Sequence, residues 1–339
     1  MARPKKEKEA EKLPEENKVS TEKRIDRLIS KYEQDYCVKR GSDIVTDPKT
    51  RTVYPIDYII DGGISQSLGG HKLEFFGAES SGKTSFSYMI MGQYQKQEKI
   101  CAYINAENSY DIGWASVMGV DPSKLIVITP ETLEQAGDVL LELVKEVDLV
   151  VIDSIVALVP EEEIEKSLSD KTMASQAKVI SPLCRKLNQA LADKKAAIIF
   201  INQMREKVGV MYGSPETTSG GRALKHLYDT RVLFKLGQPI YEGTGDNKEQ
   251  IGVEIKIHCK KNKKGKPQRT TVVDFYYSGK IDTKKCLFFA ALKSCVISLE
   301  GQSYTFKEHT VRGKDNFIAE LTEPEWEAVE KEVYEKLSK

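Results

Sequence analysis

The apolar positions of this chain fall into two alternating patterns. Short runs rich in β-branched residues stop at polar or glycine positions: HKLEFFG closes on Gly77, KICAYINAEN reaches Glu107, DLVVIDSIVAL carries Asp153, and AAIIFINQ ends in Asn202 and Gln203. Runs of this kind predict strands buried on both faces. Between them, apolar residues recur at helical spacing. In TSFSYMIMGQYQKQ, Phe86, Met89, Ile90 and Tyr94 fall near one face; in ETLEQAGDVLLELVKEV the stripe is Leu133, Ala136, Leu140 and Val144. Strands alternating with helices predict an α/β fold built on a mostly parallel, doubly wound sheet. One more helix is predicted in RIDRLISKYEQDY, where Ile25, Leu28, Ile29, Tyr32 and Tyr36 form an apolar stripe.

Composition narrows this picture only a little. Of 339 residues, 51 are basic and 51 acidic, so net charge says nothing about a polyanionic partner and any such site must be a local patch. No apolar run approaches the roughly 18 residues of a membrane span, and the opening MARPKKEKEAEKLPEENK is too charged for a secretory signal. Its interleaved lysines and glutamates predict a solvated, disordered lead-in. The six cysteines are scattered and the four histidines do not cluster, which points to reduced thiols in a cytoplasmic protein without a structural metal site. The expected organisation is a charged extension over 1–20, an N-terminal helical segment over 21–50, an α/β core over 51–284 and a small α+β C-terminal domain over 285–339.

The chemistry begins in FFGAESSGKTSF. Gly77, Ala78, Glu79, Ser80, Ser81, Gly82, Lys83 and Thr84 fit G-x-x-x-x-G-K-[ST], with Ser85 next, between a predicted strand and a predicted helix. A strand–loop–helix surrounds a phosphate with backbone N–H groups and the positive end of a helix. Lys83 can reach the terminal phosphates of ATP and the Thr84 hydroxyl can bind Mg²⁺. In a parallel sheet such a site lies beyond the carboxyl ends of the strands. The residues expected there are Asp153 as a second Mg²⁺ holder, Glu107 to orient and deprotonate the attacking water, and Gln203 to hydrogen-bond the γ-phosphate.

The stretches GAESSGKT, INAENSYD, VVIDSIVALVP, FINQMREKVGVMYGSPETTSGGRALK and KKNKKGKP, in this order, resemble the bacterial RecA homologous recombinases. The likeness runs from about Ile25 towards the C-terminus and fades at both ends. It leaves a host or a phage origin open. The resemblance implies two DNA-gripping loops, one near Pro160 to Ala174 and one from Arg205 to Leu224. Met173 in the first, and Met204, Arg205, Met211, Tyr212, Gly220, Gly221 and Arg222 in or beside the second, would contact DNA, with Arg185 on the helix after the first loop. Asp111 would bond the adenine, Trp114 would stack on it where the family usually has tyrosine, and Tyr277 would cover the nucleotide.

Residues 256–269, KIHCKKNKKGKPQR, hold seven basic side chains and no acidic one. By themselves they read as a solvated turn or a nucleic-acid patch; the resemblance implies that Lys261 and Lys263 reach the γ-phosphate bound on the neighbouring subunit. The resemblance further implies an ATP- and Mg²⁺-dependent recombinase that forms a helical homopolymer on single-stranded DNA and pairs it with homologous double-stranded DNA. Single-strand-binding protein and a LexA-type repressor are the other partners it implies. A hexameric helicase-type motor of the same fold and a filament-forming accessory protein are the competing classes. The closing KLSK departs from the acidic tail of many relatives, which makes restraint of DNA binding by such a tail doubtful.

Overall fold

The computed structural model describes residues 20–33, 38, 40–41, 48–164, 175–206 and 216–337. The chain divides into two units, residues 1–46 and 47–339. The described helix of the first is α1 (Thr21–Tyr32), capped by the Ser20 hydroxyl, which accepts the Lys23 N–H. Within that unit Ile25, Leu28 and Tyr32 are exposed and Ile29 is half-buried. The stripe is therefore present, while Tyr36 lies outside the described residues.

The second unit opens with β1 (Lys49–Thr50), α2 (Tyr54–Ile59) and β2 (Ile64–Ser65), the two strands pairing antiparallel. The core then runs β3 (His71–Gly77), α3 (Lys83–Lys96), β4 (Cys101–Asn105), α4 (Ile112–Val117), β5 (Leu125–Ile128), α5 (Leu133–Glu146) and β6 (Leu149–Asp153). It continues through α6 (Glu161–Ile164), α7 (Ser175–Ala190), β7 (Ala197–Glu206), β8 (Glu216–Thr218), α8 (Gly221–Leu227), β9 (Thr230–Glu242), β10 (Glu249–Asn262), β11 (Thr270–Tyr276) and β12 (Ile281–Asp282). The strands lie in the order β5-β4-β6-β7-β3-β9-β10-β11-β12. From β5 to β9 every neighbouring pair is parallel, and β10, β11 and β12 extend the sheet antiparallel.

Alternate strand residues feed two separate cores. Leu149, Val151, Ile199 and Ile201 join Phe75, Phe86 and Phe234 on one face; Val150, Ile152, Ile198 and Phe200 join Leu140, Leu183 and Leu187 on the other. This is the two-sided burial the apolar runs predict. The α5 stripe is buried as expected. For α3 the expectation of one apolar face is too narrow: Ser87, Tyr88, Met91 and Gln95 are buried as well, because the helix lies inside the first core rather than on its surface. A second correction concerns β7. It does not stop at Gln203 but continues to Glu206, since β8 supplies an antiparallel partner, Met204 facing Thr218.

After β12 come α9 (Lys284–Lys293), β13 (Ser298–Glu300), β14 (Ser303–Phe306), β15 (His309–Arg312), α10 (Lys314–Glu320) and α11 (Glu323–Leu337). The three strands form an antiparallel sheet. Phe288, Phe317, Trp326 and Val333 continue the first core without a break. One buried polar contact joins α11 to α2: the Tyr334 hydroxyl donates to Asp57 at 2.8 Å, and Asp57 also accepts from the Thr52 N–H and hydroxyl.

Candidate nucleotide and DNA site

Gly82 caps α3 with φ +90°, a left-handed conformation that favours glycine, and a Cβ there would lie 2.7 Å from Ile255 Cδ1. The turn this permits aims the unpaired N–H groups of the first helical turn at whatever sits in the loop. Lys83 is buried beneath the loop, donating to the carbonyls of Ala78 (2.6 Å) and Gly77 (3.3 Å). Burial lowers its pKa, opposed by Asp153, Glu107 and Glu79. Ser81 donates to the Ala78 carbonyl at 2.7 Å, closing the loop on itself.

The acidic residues converge on this loop from neighbouring strands. Thr84 Oγ1 donates to Asp153 Oδ2 at 2.7 Å, and Tyr103 Oη donates to the same oxygen at 3.0 Å. Burial raises the Asp153 pKa against these hydrogen bonds. The N–H groups of Ala106 and Glu107 both bond the Asp153 carbonyl, so the turn after β4 is fixed to the end of β6. Ser154 then donates to Glu107 Oε1 at 2.7 Å. Gln203 pairs in register with Gly77, one strand away from the loop. The donors beside the loop, a hydroxyl and a carboxylate, are hard oxygens, the set Mg²⁺ takes together with phosphate oxygens. Thr84 and Asp153 would hold that ion.

On the base side, Asp111 caps α4 by accepting the Trp114 N–H at 2.9 Å. The half-buried indole donates to Ser85 at 3.0 Å and meets Phe275 edge-on at 6.3 Å. Tyr277 is half exposed and its hydroxyl accepts from Gln250.

The family model described as the RecA N-terminal domain matches residues 26–282. This chain belongs to the RecA family. "Protein RecA" of Thermus aquaticus is 40% identical over 266 residues, covering 77% of this chain and 76% of its own length. That of Synechococcus elongatus is 37% identical over 288 residues (84% and 79%), and that of a Thermotoga species 34% over 313 (89% and 85%). Membership carries the general function of RecA-family ATPases and recombinases.

The two segments expected to contact DNA are framed rather than displayed. Met173, Met211 and Tyr212 lie outside the described residues, and of Arg205 only the backbone is described. The two loops nevertheless end on one cavity of about 290 Å³, lined by Glu163, Ser175, Gln176, Ile180, Gly220 and Gly221. Gly220, with φ +88°, caps α8, and a Cβ there would press to 2.2 Å from Leu224 Cδ1. Met204 is half-buried in β7 and Arg222 is exposed in the first turn of α8. Arg185 is exposed on α7 and lines a different cleft, of about 430 Å³, with Lys72, His226 and Lys263.

Lys261 and Lys263 stand at the opposite end of the sheet from the phosphate loop. Lys261 donates to the carbonyls of Tyr228 (2.6 Å) and Lys225 (3.0 Å), and Lys263 to that of His226 (3.3 Å), at the C-terminal end of α8. Lys263 and Lys72 flank Asp229 at the start of β3, about 16 Å along the strand from Gly77, while the Lys261 backbone is level with Glu74, about 10 Å from it.

Three features escaped the sequence reading. Glu74, fully buried in β3, is held by Arg231 from β9 and by Asn202 (3.0 Å) from β7; Arg231 also bonds Thr218 on β8, inside the second expected loop (3.1 Å). Tyr103 and Ser154 position the two carboxylates. On the outer face of the antiparallel strands, Lys256, His258 and Lys260 alternate along β10, with Lys235 opposite Lys256. Lys256, His258 and Lys260 belong to the basic stretch already read as a solvated turn or a nucleic-acid patch; what was not foreseen is their alternation on one face and the addition of Lys235 from β9.

Proposed function

We propose that this chain is an ATP-dependent DNA recombinase that polymerises on single-stranded DNA, pairs it with a homologous duplex and exchanges strands. The observation that carries the reading is Gln203. It stands in register with Gly77 of the phosphate loop, and its strand runs on, paired with β8, into the second loop. One strand thus spans the γ-phosphate position and the DNA loop, so ATP and DNA should each favour binding of the other.

In this reading Lys83 and the loop amides bind the phosphates. Glu107, held by Ser154, orients and deprotonates the attacking water. Thr84 and Asp153 would hold Mg²⁺, which would supply neutralisation of phosphate charge. Trp114 and Asp111 receive the base. Lys261 and Lys263, remote from their own loop, act on the next subunit's nucleotide. The first DNA strand lies against the loop ends at the Gly220 cavity, and the basic strip of Lys235, Lys256, His258 and Lys260 is a surface for the second.

Self-assembly has two supports. The α1 stripe is exposed within its own unit, and β5 is an edge strand whose successive residues Ile126 and Val127 are 42% and 38% exposed, leaving apolar surface on both sides. A head-to-tail contact between such surfaces grows into a helix rather than closing as a dimer.

The test is ATP hydrolysis with and without single-stranded DNA, on wild type and Lys261→Ala. DNA should stimulate the wild type, and the variant should lose about 10²- to 10³-fold of that rate while still binding ATP. DNA-independent hydrolysis untouched by the substitution would sink the reading. A strand-exchange assay on homologous DNA separates a recombinase from a motor or an accessory filament.

A further inference from the structure

Asp153 is held by two hydroxyls from different elements. Thr84, at the start of α3, and Tyr103, in the middle of β4, both donate to Oδ2 and neither takes Oδ1. Tyr103 is fully buried, and its ring is wedged between Tyr88 (5.5 Å between centroids) and Tyr110 (5.6 Å). Phenylalanine would fill the same space. The packing therefore accounts for the ring but not for the hydroxyl, whose partner is the carboxylate.

A carboxylate fixed by one donor can still turn about its Cβ–Cγ bond. Two donors on one oxygen remove that freedom and present the other oxygen in a set direction. We propose that Tyr103 is a positioning residue for Asp153 and that its hydroxyl sets the divalent-cation affinity of the nucleotide site. The role is distinct from that of Thr84, which belongs to the loop motif. It rests on the reading of Thr84 and Asp153 as the Mg²⁺ holders.

The experiment is ATP binding by titration calorimetry across a series of Mg²⁺ concentrations, on wild type, Tyr103→Phe and Tyr110→Phe. Tyr103→Phe should raise the half-saturating Mg²⁺ concentration by about tenfold, as loss of an outer partner of a metal ligand does. ATP affinity and kcat at saturating Mg²⁺, and thermal stability without Mg²⁺, should stay close to wild type. Tyr110→Phe removes a hydroxyl from the same aromatic cluster and should leave the Mg²⁺ dependence unchanged. An unmoved half-saturation point in Tyr103→Phe, an equal shift in Tyr110→Phe, or a loss of stability without Mg²⁺ would each overturn the proposal. Wild-type protein that binds no ATP at any Mg²⁺ concentration would instead remove the nucleotide reading, and this inference with it.

Discussion

A lysine buried under a loop of amides must find acceptors or lose its proton. Lys83 finds the carbonyls of Gly77 and Ala78, contacts a phosphate can replace with full charge. Lys83→Ala should therefore weaken ATP binding by roughly 10- to 100-fold, the worth of a charge-assisted hydrogen bond, with little change in Tm. Equilibrium binding and thermal unfolding measure the two. A second residue offers an internal probe. Of the two tryptophans, Trp326 is buried in the C-terminal elements while Trp114 borders the loop through Ser85. ATP should change the tryptophan emission of the wild type and not that of Trp114→Phe. What could be read from sequence at this scale was whatever is local. The loop motif and the polar residues ending apolar runs stand out unaided. The Glu74–Arg231 pair does not, because its members are 157 residues apart and only the β3–β9 pairing brings them together.

Elements show the same division. The α5 stripe was legible because polar residues mark its other side; the α3 stripe was legible too, but not the burial of the rest of the helix, because Ser87, Tyr88 and Gln95 look like solvent-facing residues until the surrounding core is known. The end of β7 was misplaced since its last residues depend on β8, beyond the intervening loop. Two predictions belong here. Leu28→Glu on α1 and Ile126→Lys on β5 should each abolish assembly, seen by sedimentation or electron microscopy, yet leave unfolding within about 0.5 kcal/mol of wild type because both side chains are exposed. The junction of α2 with α11 should respond to pH. Burial pushes Asp57 up to about 6, against the hydrogen bonds from Thr52 and Tyr334. Its folded pKa lies above the ordinary carboxyl value, so the folded state binds this proton more tightly. The resulting stabilisation is full below about pH 4 and is lost as pH rises through about 6. Between pH 7 and pH 4 the wild type should gain about 2 kcal/mol relative to Asp57→Asn, by denaturant unfolding.

At the scale of the molecule, the phosphate loop and the two β10-end lysines occupy opposite ends of one sheet. On the proposed reading these are two halves of one site that cannot meet within a single copy. The working unit is then the junction between copies, and a chain of copies always has one end without a completed junction. Turnover per subunit should accordingly rise with protein concentration. Defects should also be shareable. A copy lacking Lys83 and a copy lacking Lys261 are each inactive alone, but mixed in equal amounts about a quarter of their junctions place an intact loop against intact lysines. Hydrolysis should reappear in that mixture.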